Sequence, residues 1–126
     1  MTYVDGFVFV LKKSKIGAYK KMASDAGKIW KKFGALKYVE CIGDDLHQKS
    51  PDPSMKPLYF TKLTKVKAGE TVGFSFITYK NKAHRDSVNK KVMKYMEEKY
   101  KDATFTDMPF DMKRMSSGGF KPIVEY

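Results

Sequence analysis

Residues 3–12 read YVDGFVFVLK, and this stretch decides the fold. Its β-branched and aromatic residues are typical of a β-strand. Successive side chains of a strand point to opposite faces, so the odd-numbered residues Tyr3 to Phe9 share one face and the even-numbered residues Val4 to Val10 share the other. Both faces are largely apolar. We expect one face to meet helices. The aromatic face is too hydrophobic to leave in water, and we expect a second copy of the chain to bury it.

An amphipathic helix is predicted directly after this strand. Ser14 is expected to be its N-cap and Gly34 its stop. Apolar residues between them recur every three or four positions, which is the helical period. The stripe consists of Ile16, Tyr19, Met22, Ala23, Ala26, Trp30 and Phe33. Residues 36–42, LKYVECI, then predict a second strand in which Cys41 is expected to be a small buried residue.

The middle of the chain is the least regular part. Residues 48–57, QKSPDPSMKP, contain three prolines and predict an exposed loop. Residues 58–66, LYFTKLTKV, fit either a short strand or an irregular edge. Residues 71–79, TVGFSFITY, predict a strand.

The last part of the chain is predicted to contain a second helix and a final strand. Asn81 is expected to cap this helix, which runs to about Tyr100. Residues 101–114 then predict a loop, and residues 115–125 predict the last strand.

The predicted order β-α-β-β-α-β leads to an α+β fold. With right-handed crossovers it is a ferredoxin-like sheet of four antiparallel strands with both helices on one face. The 126 residues are expected to form one domain, 1–126. Two sheets packed face to face would make a homodimer with a barrel-like core, a dimeric α+β barrel.

Charge and composition limit the cellular location and the classes of partner that are expected. The net charge is +11, and 23 of the 25 basic residues are lysine. This charge permits nucleic acid as a partner, but lysines spread along helices favour a solvated basic surface. No apolar run approaches the ~20 residues of a membrane helix, so no membrane partner is expected. The N-terminus does not resemble a signal peptide, and Cys41 is the single cysteine, which together predict the cytoplasm.

Four blocks together resemble the YbaA-like bacterial family, a domain of unknown function. They are YVDGF (3–7), GALKYVEC with a following GDD (34–45), ETVGFSFITYKNKAHRDSVNKKVM (70–93) and MPFDMKRMSSGGF (108–120). The resemblance implies a place among the dimeric α+β barrel proteins, and it implies no catalytic residue. This chain departs from the family pattern at Phe76, where a tryptophan is expected, and in a longer loop at 46–58.

Arg85 is one of only two arginines and is the first candidate site residue. On the second helix it falls in the middle of the apolar stripe and therefore faces inward. A buried guanidinium must be paired. Its partner is either a carboxylate, from Asp5, Glu40 or Asp111, or an anionic ligand near the helix N-terminus.

The other candidates surround the same predicted pocket. His84, Asp5 and Glu40 are candidate catalytic groups, since histidine titrates near neutral pH and paired carboxylates can act as acid and base. An alternative is that His84 is hydrogen-bonded and structural. Trp30 and Tyr79 are candidates to line a pocket for a flat molecule, or they are core packing.

Arg114, the other arginine, follows MPFDMK. It is a candidate either to pair with Asp111 or to reach the same cavity as Arg85.

Several chemistries lack their motifs. The chain has no Walker loop, no GxGxxG and no GxSxG. His47 and His84 stand 37 positions apart without metal-ligand spacing, so no metal and no cofactor are expected. The sequence favours a protein that binds a small aromatic or anionic metabolite, and whether it also transforms that molecule is open. The alternatives are a basic RNA- or nucleic-acid-associated protein and a structural or interaction module without ligand.

Overall fold

The computed structural model describes residues 2–103 and 108–126. Part of the predicted loop 101–114, residues 104–107, lies outside the described residues. The elements run in the order β1 (Tyr3–Lys12), α1 (Ile16–Lys32), β2 (Lys37–Ile42), α2 (Phe60–Leu63), β3 (Glu70–Tyr79), α3 (Lys82–Lys99) and β4 (Ser116–Phe120). The protein is therefore α+β, with a short helix between the second and third strands.

The four strands form one antiparallel sheet in the order β2-β3-β1-β4. β1 is a central strand and pairs with β3 along its whole length, from Tyr3 opposite Tyr79 to Lys12 opposite Glu70. The strand predicted from YVDGFVFVLK is confirmed at both ends.

The helices lie on the aromatic face of β1, which corrects the predicted face assignment. Tyr3 and Phe7 pack against a core that includes Val88 and Val92 of α3. Phe9 is 1% exposed and contacts Tyr19 of α1, with ring centroids 5.2 Å apart. Both faces of β1 are apolar, so alternation alone cannot distinguish the face that meets the helices.

The ends of the helices follow local signals with one exception. Asn81 caps α3 as predicted, and its side chain accepts a hydrogen bond from the His84 N–H at 2.8 Å. Gly34 ends α1 with a φ of +115°, a conformation that glycine adopts without steric cost. The predicted Ser14 cap is wrong, because Ser14 lies inside a 3-10 turn and α1 begins after Lys15 without a side-chain cap.

Three further predictions are corrected. The segment predicted as a strand or an irregular edge contains the helix α2, in which the Thr64 hydroxyl donates to the Phe60 carbonyl at 2.7 Å. The last strand ends at Phe120 and not at residue 125, since Pro122 has no N–H to donate to a ladder. Cys41 is exposed, because β2 is an edge strand and Cys41 lies on the face away from the helices.

In the described part of the chain, each helix is too short or too polar to cross a lipid bilayer.

Gly73 is a position where the sheet has no room for a side chain. It lies opposite Phe9, and a Cβ at residue 73 would overlap the buried Phe9 ring. We predict that Gly73→Ala lowers the free energy of unfolding by about 1–3 kcal/mol, the usual cost of overpacking.

Gly17→Ala is the matched control, because no heavy atom lies within 4 Å of its added Cβ. Alanine there is expected to leave stability unchanged or to raise it by up to about 1 kcal/mol. Chemical denaturation of the three proteins measures both effects, and equal stabilities for the two variants would contradict the packing.

Candidate functional site

A cavity of about 460 Å³ lies between the sheet and the two long helices. We call it the sheet–helix cavity, and it is partly open to solvent. Its apolar wall is formed mainly by Phe7, Phe9, Trp30, Ile77, Met93 and Phe110. Its polar side chains include Asp5, Glu40, Tyr79, Arg85 and Asn89. A volume in this range accommodates a small metabolite.

Arg85 finds its partner inside the protein. Its Nη1 donates to Asp5 Oδ1 at 2.7 Å, and its Nε donates to Asp86 Oδ1 at 2.8 Å. The guanidinium also lies over the Tyr3 ring, 4.8 Å from its centroid. Of the predicted carboxylate partners, Asp5 is the one that the structure brings to Arg85. The planar guanidinium, with donors pointing in several directions, explains why residue 85 is an arginine. A lysine would offer a single point charge to Asp5, Asp86 and the Tyr3 ring.

Asp5 is the more deeply buried member of this pair, with 7% of its surface exposed. Burial raises the pKa of the Asp5 carboxyl above its ordinary value, although the charge of Arg85 acts in the opposite direction. The ionised form of Asp5 therefore depends on Arg85, and removal of the guanidinium would leave a carboxylate without a cation beside a largely apolar cavity.

A hydrogen-bonded chain crosses the cavity beside Asp5. Trp30 Nε1 donates to the Tyr79 hydroxyl at 3.2 Å, and the Tyr79 hydroxyl donates to Asn89 Oδ1 at 3.2 Å. Burial is the main cause that raises the pKa of Tyr79 to about 12. This chain links α1, β3 and α3.

Glu40 is held by two phenols. Tyr19 donates to Glu40 Oε2 at 2.6 Å, and Tyr38 donates to Glu40 Oε1 at 2.7 Å. Burial and the hydrogen bonds to Glu40 raise the pKa of both tyrosines, which keeps them protonated as donors. The three residues also line an adjoining cavity of about 690 Å³ between α1 and β2.

His84 takes part in the start of α3 and not in the lining of the sheet–helix cavity. Its Nδ1 accepts the Lys80 N–H at 3.0 Å, and its ring meets the Tyr79 ring edge-on at 6.0 Å between centroids. This is the hydrogen-bonded, structural alternative that the sequence left open. A catalytic role for His84 stays a prediction.

Arg114 lies apart from the sheet–helix cavity and pairs with Asp111, the first of its two predicted alternatives. Its Nε donates to Asp111 Oδ2 at 2.7 Å. Its Nη1 and Nη2 donate to Glu70 Oε1 and Oε2 at 2.8 and 2.7 Å. The bonds from Arg114 lower the pKa of Glu70 to about 2. Arg114 thus ties the segment before β4 to the start of β3.

Sequence reasoning missed the two tyrosines that hold Glu40, as well as Asn89 and Phe110. A signal existed for Tyr38, because it stands two residues before Glu40 in a strand and must share its face. Tyr19 stood in the predicted helical stripe. Its pairing with β2 depends on how α1 crosses the sheet, which periodicity does not specify.

The chain was compared with protein families, curated proteins and solved structures. Residues 2–112 match the family model described as Protein of unknown function (DUF1428). The chain is 40% identical to "Uncharacterized protein YbaA" of Escherichia coli strain K12 over 125 residues, which are 99% of both chains. The protein of the same name from Shigella flexneri matches equally. The solved structure "De novo designed protein Foldit4" covers 97% of this chain and 99% of its own at 7% identity, and its TM-score of 0.44 supports no conclusion.

The bonds from the Arg85 guanidinium to Asp5 and Asp86 lead to a prediction about stability. Arg85→Lys keeps the charge but cannot bond Asp5 and Asp86 together while it stacks on Tyr3. We predict a loss of about 1.5–3 kcal/mol in the free energy of unfolding, the range for hydrogen bonds to charged groups. The reverse swap Lys82→Arg, at an exposed position of the same helix, is the control and should change nothing. If Arg85→Lys and the parent have the same melting temperature, the bonds from the guanidinium to both carboxylates do not matter for stability.

Proposed function

The chain belongs to the protein family of unknown function DUF1428, and we propose that it is a binding protein for a small, largely apolar aromatic metabolite. The sheet–helix cavity is the proposed binding site. The observation that carries the proposal is the aromatic wall of this open cavity, in which Trp30 and Tyr79 are joined by a hydrogen bond. Aromatic walls with a few placed polar groups are the usual composition of small-molecule sites.

The pairing of Arg85 narrows the ligand class. An anion would compete with Asp5 and Asp86, which already accept from the guanidinium. A ligand that is mainly apolar requires no such exchange, because it displaces water from rings such as Phe7 and Trp30. A sealed structural module would also pair Arg85 internally, but it would not leave an open cavity of this size.

The lysines support the nucleic-acid alternative less well. Those on α1 and α3 are exposed and are spread over both helices. A nucleic acid would use this basic surface and not the cavity, and a net charge of +11 is equally compatible with a solvated surface. The exposed free thiol of Cys41 is compatible with a reducing compartment. A cytosolic location is part of the same proposal.

The proposal extends to a homodimer of ferredoxin-like sheets, a dimeric α+β barrel. The sheet face away from α1 and α3, which we call the outer face, carries Val4, Val8, Val39, Phe74, Phe76 and Phe120. Phe74 is 45% exposed and Phe120 is 61% exposed. Among the paired strand residues of this face, charged side chains come only at its margins, such as Lys37. A second copy is the proposed occupant, since two chains of charge +11 repel least where they meet through uncharged surface.

Intrinsic fluorescence tests ligand binding, because Trp30 is the only tryptophan and lines the cavity. We predict that phenethyl alcohol, a neutral aromatic probe, changes the Trp30 emission saturably at millimolar concentrations or below. Ala26 lines the cavity, and Ala26→Leu should abolish the change by filling the space.

Ala18→Leu makes the same substitution at an exposed position of the same helix and should leave the titration unchanged. Melting curves check that both variants are folded. A parent without saturable change would contradict the proposed function, and undiminished binding by Ala26→Leu would move the site elsewhere.

Light scattering after size exclusion tests the dimer. We predict twice the 14.5 kDa of one chain for the parent and a single chain for Phe74→Lys, which brings like charges together across the interface. Met93→Lys changes an exposed residue on the helix side and should stay dimeric. A parent that elutes as one chain overturns the dimer and leaves the cavity proposal standing.

A further inference from the structure

Glu40 is the charged group of the cavity that lacks a counter-charge. Among the described residues, the charged side chains that line the sheet–helix cavity are Asp5, Arg85 and Glu40. Asp5 and Arg85 form an ion pair, whereas Glu40 forms none among the described residues. Its two oxygens accept from neutral phenols, one bond each. A carboxylate has about four acceptor positions, so these bonds orient Glu40 without saturating it.

Aromatic rings gather around this carboxylate. The rings of Phe9, Tyr19 and Phe110 contact one another with centroid separations of 5.2 to 6.1 Å. The Trp30 and Tyr38 rings form a second contact, with centroids 6.1 Å apart. All five line the sheet–helix cavity together with Glu40. Aromatic faces carry negative electrostatic potential and attract ammonium groups, most strongly where water is excluded.

We propose that the cavity selects a protonated amine attached to an aromatic or otherwise apolar body. The ammonium group would donate to Glu40 while the body fills the space beside Trp30 and Phe7. This inference rests on the proposed function and names the ligand class of the same site.

The positive charge of the whole chain does not oppose this selection at the site. Charges on the exposed helix faces are screened over roughly 8–10 Å at physiological salt. Lys20, Lys28 and Lys31 line the adjoining cavity, and none of them lines the sheet–helix cavity. Inside the sheet–helix cavity, Arg85 is the lining cation, and Asp5 and Asp86 offset it.

Three probes of one shape test the proposal by the Trp30 titration or by calorimetry. Phenethylamine is a cation at neutral pH, phenethyl alcohol is neutral and hydrocinnamate is an anion. We expect the amine to bind about tenfold tighter than the alcohol, with the anion weakest. Glu40→Gln preserves the shape but removes the charge, and its amide can accept from one phenol and donate to the other. It should reduce amine affinity about tenfold, to the level of the alcohol, and leave alcohol affinity unchanged.

Glu98→Gln removes the same charge from an exposed position on α3 and should preserve the amine preference. If the parent binds all three probes alike, or the anion best, the amine inference is overturned while the cavity proposal survives. If the parent binds none of the probes, both fail. A Glu40→Gln protein that keeps the amine preference also overturns the inference, since Glu40 would not be the selecting group.

Discussion

The placement of Asp5 on the central strand is the constraint around which the rest of the molecule is arranged. A carboxylate on the helix side of β1 must be ionised beside a cation or lose its charge. Arg85 meets this requirement from the first turn of α3, which Asn81 starts by capping the His84 N–H. The ion pair thus sets where α3 begins relative to the sheet.

The two carboxylates of the cavity are stabilised in opposite ways. Asp5 forms an ion pair with the Arg85 guanidinium, which balances its negative charge within the protein. Glu40 receives two phenol hydroxyls, which satisfy hydrogen bonding but leave the negative charge in place. The same cavity therefore has one charge that is matched within the protein and one that is available to a ligand. This difference, more than the volume, gives the cavity a chemical preference.

Local signals predicted much of the fold and part of the site. The strand 3–12, the Asn81 cap and the stop at Gly34 depend on neighbours in sequence, and all three are confirmed. Arg85 was expected to face inward from its helical phase, and Asp5 was one of three partners considered. The phase of a helix indicates which residues face the sheet, but it does not indicate which strand residue lies beneath each one.

The errors have different causes. β1 is apolar on both faces, so its alternation leaves open which side the long helices cover, and only the packing of Phe9 and Phe7 decides it. That question is settled by tertiary contacts, which are non-local in sequence. The end of the last strand is a local matter, because Pro122 has no N–H to donate to a ladder and is visible in the sequence.

The choice between arginine and lysine connects the charge of the chain to its structure. Both arginines bind two carboxylates, Arg85 with Asp5 and Asp86, and Arg114 with Glu70 and Asp111. The lysines of α1 and α3 lie instead on exposed faces, where a single solvated charge suffices. The lysines of α1 and α3 thus carry much of the excess positive charge outside the two arginine ion pairs. Net charge describes the surface of this protein, and the chemistry of its cavity follows from a carboxylate that the surface charge does not neutralise.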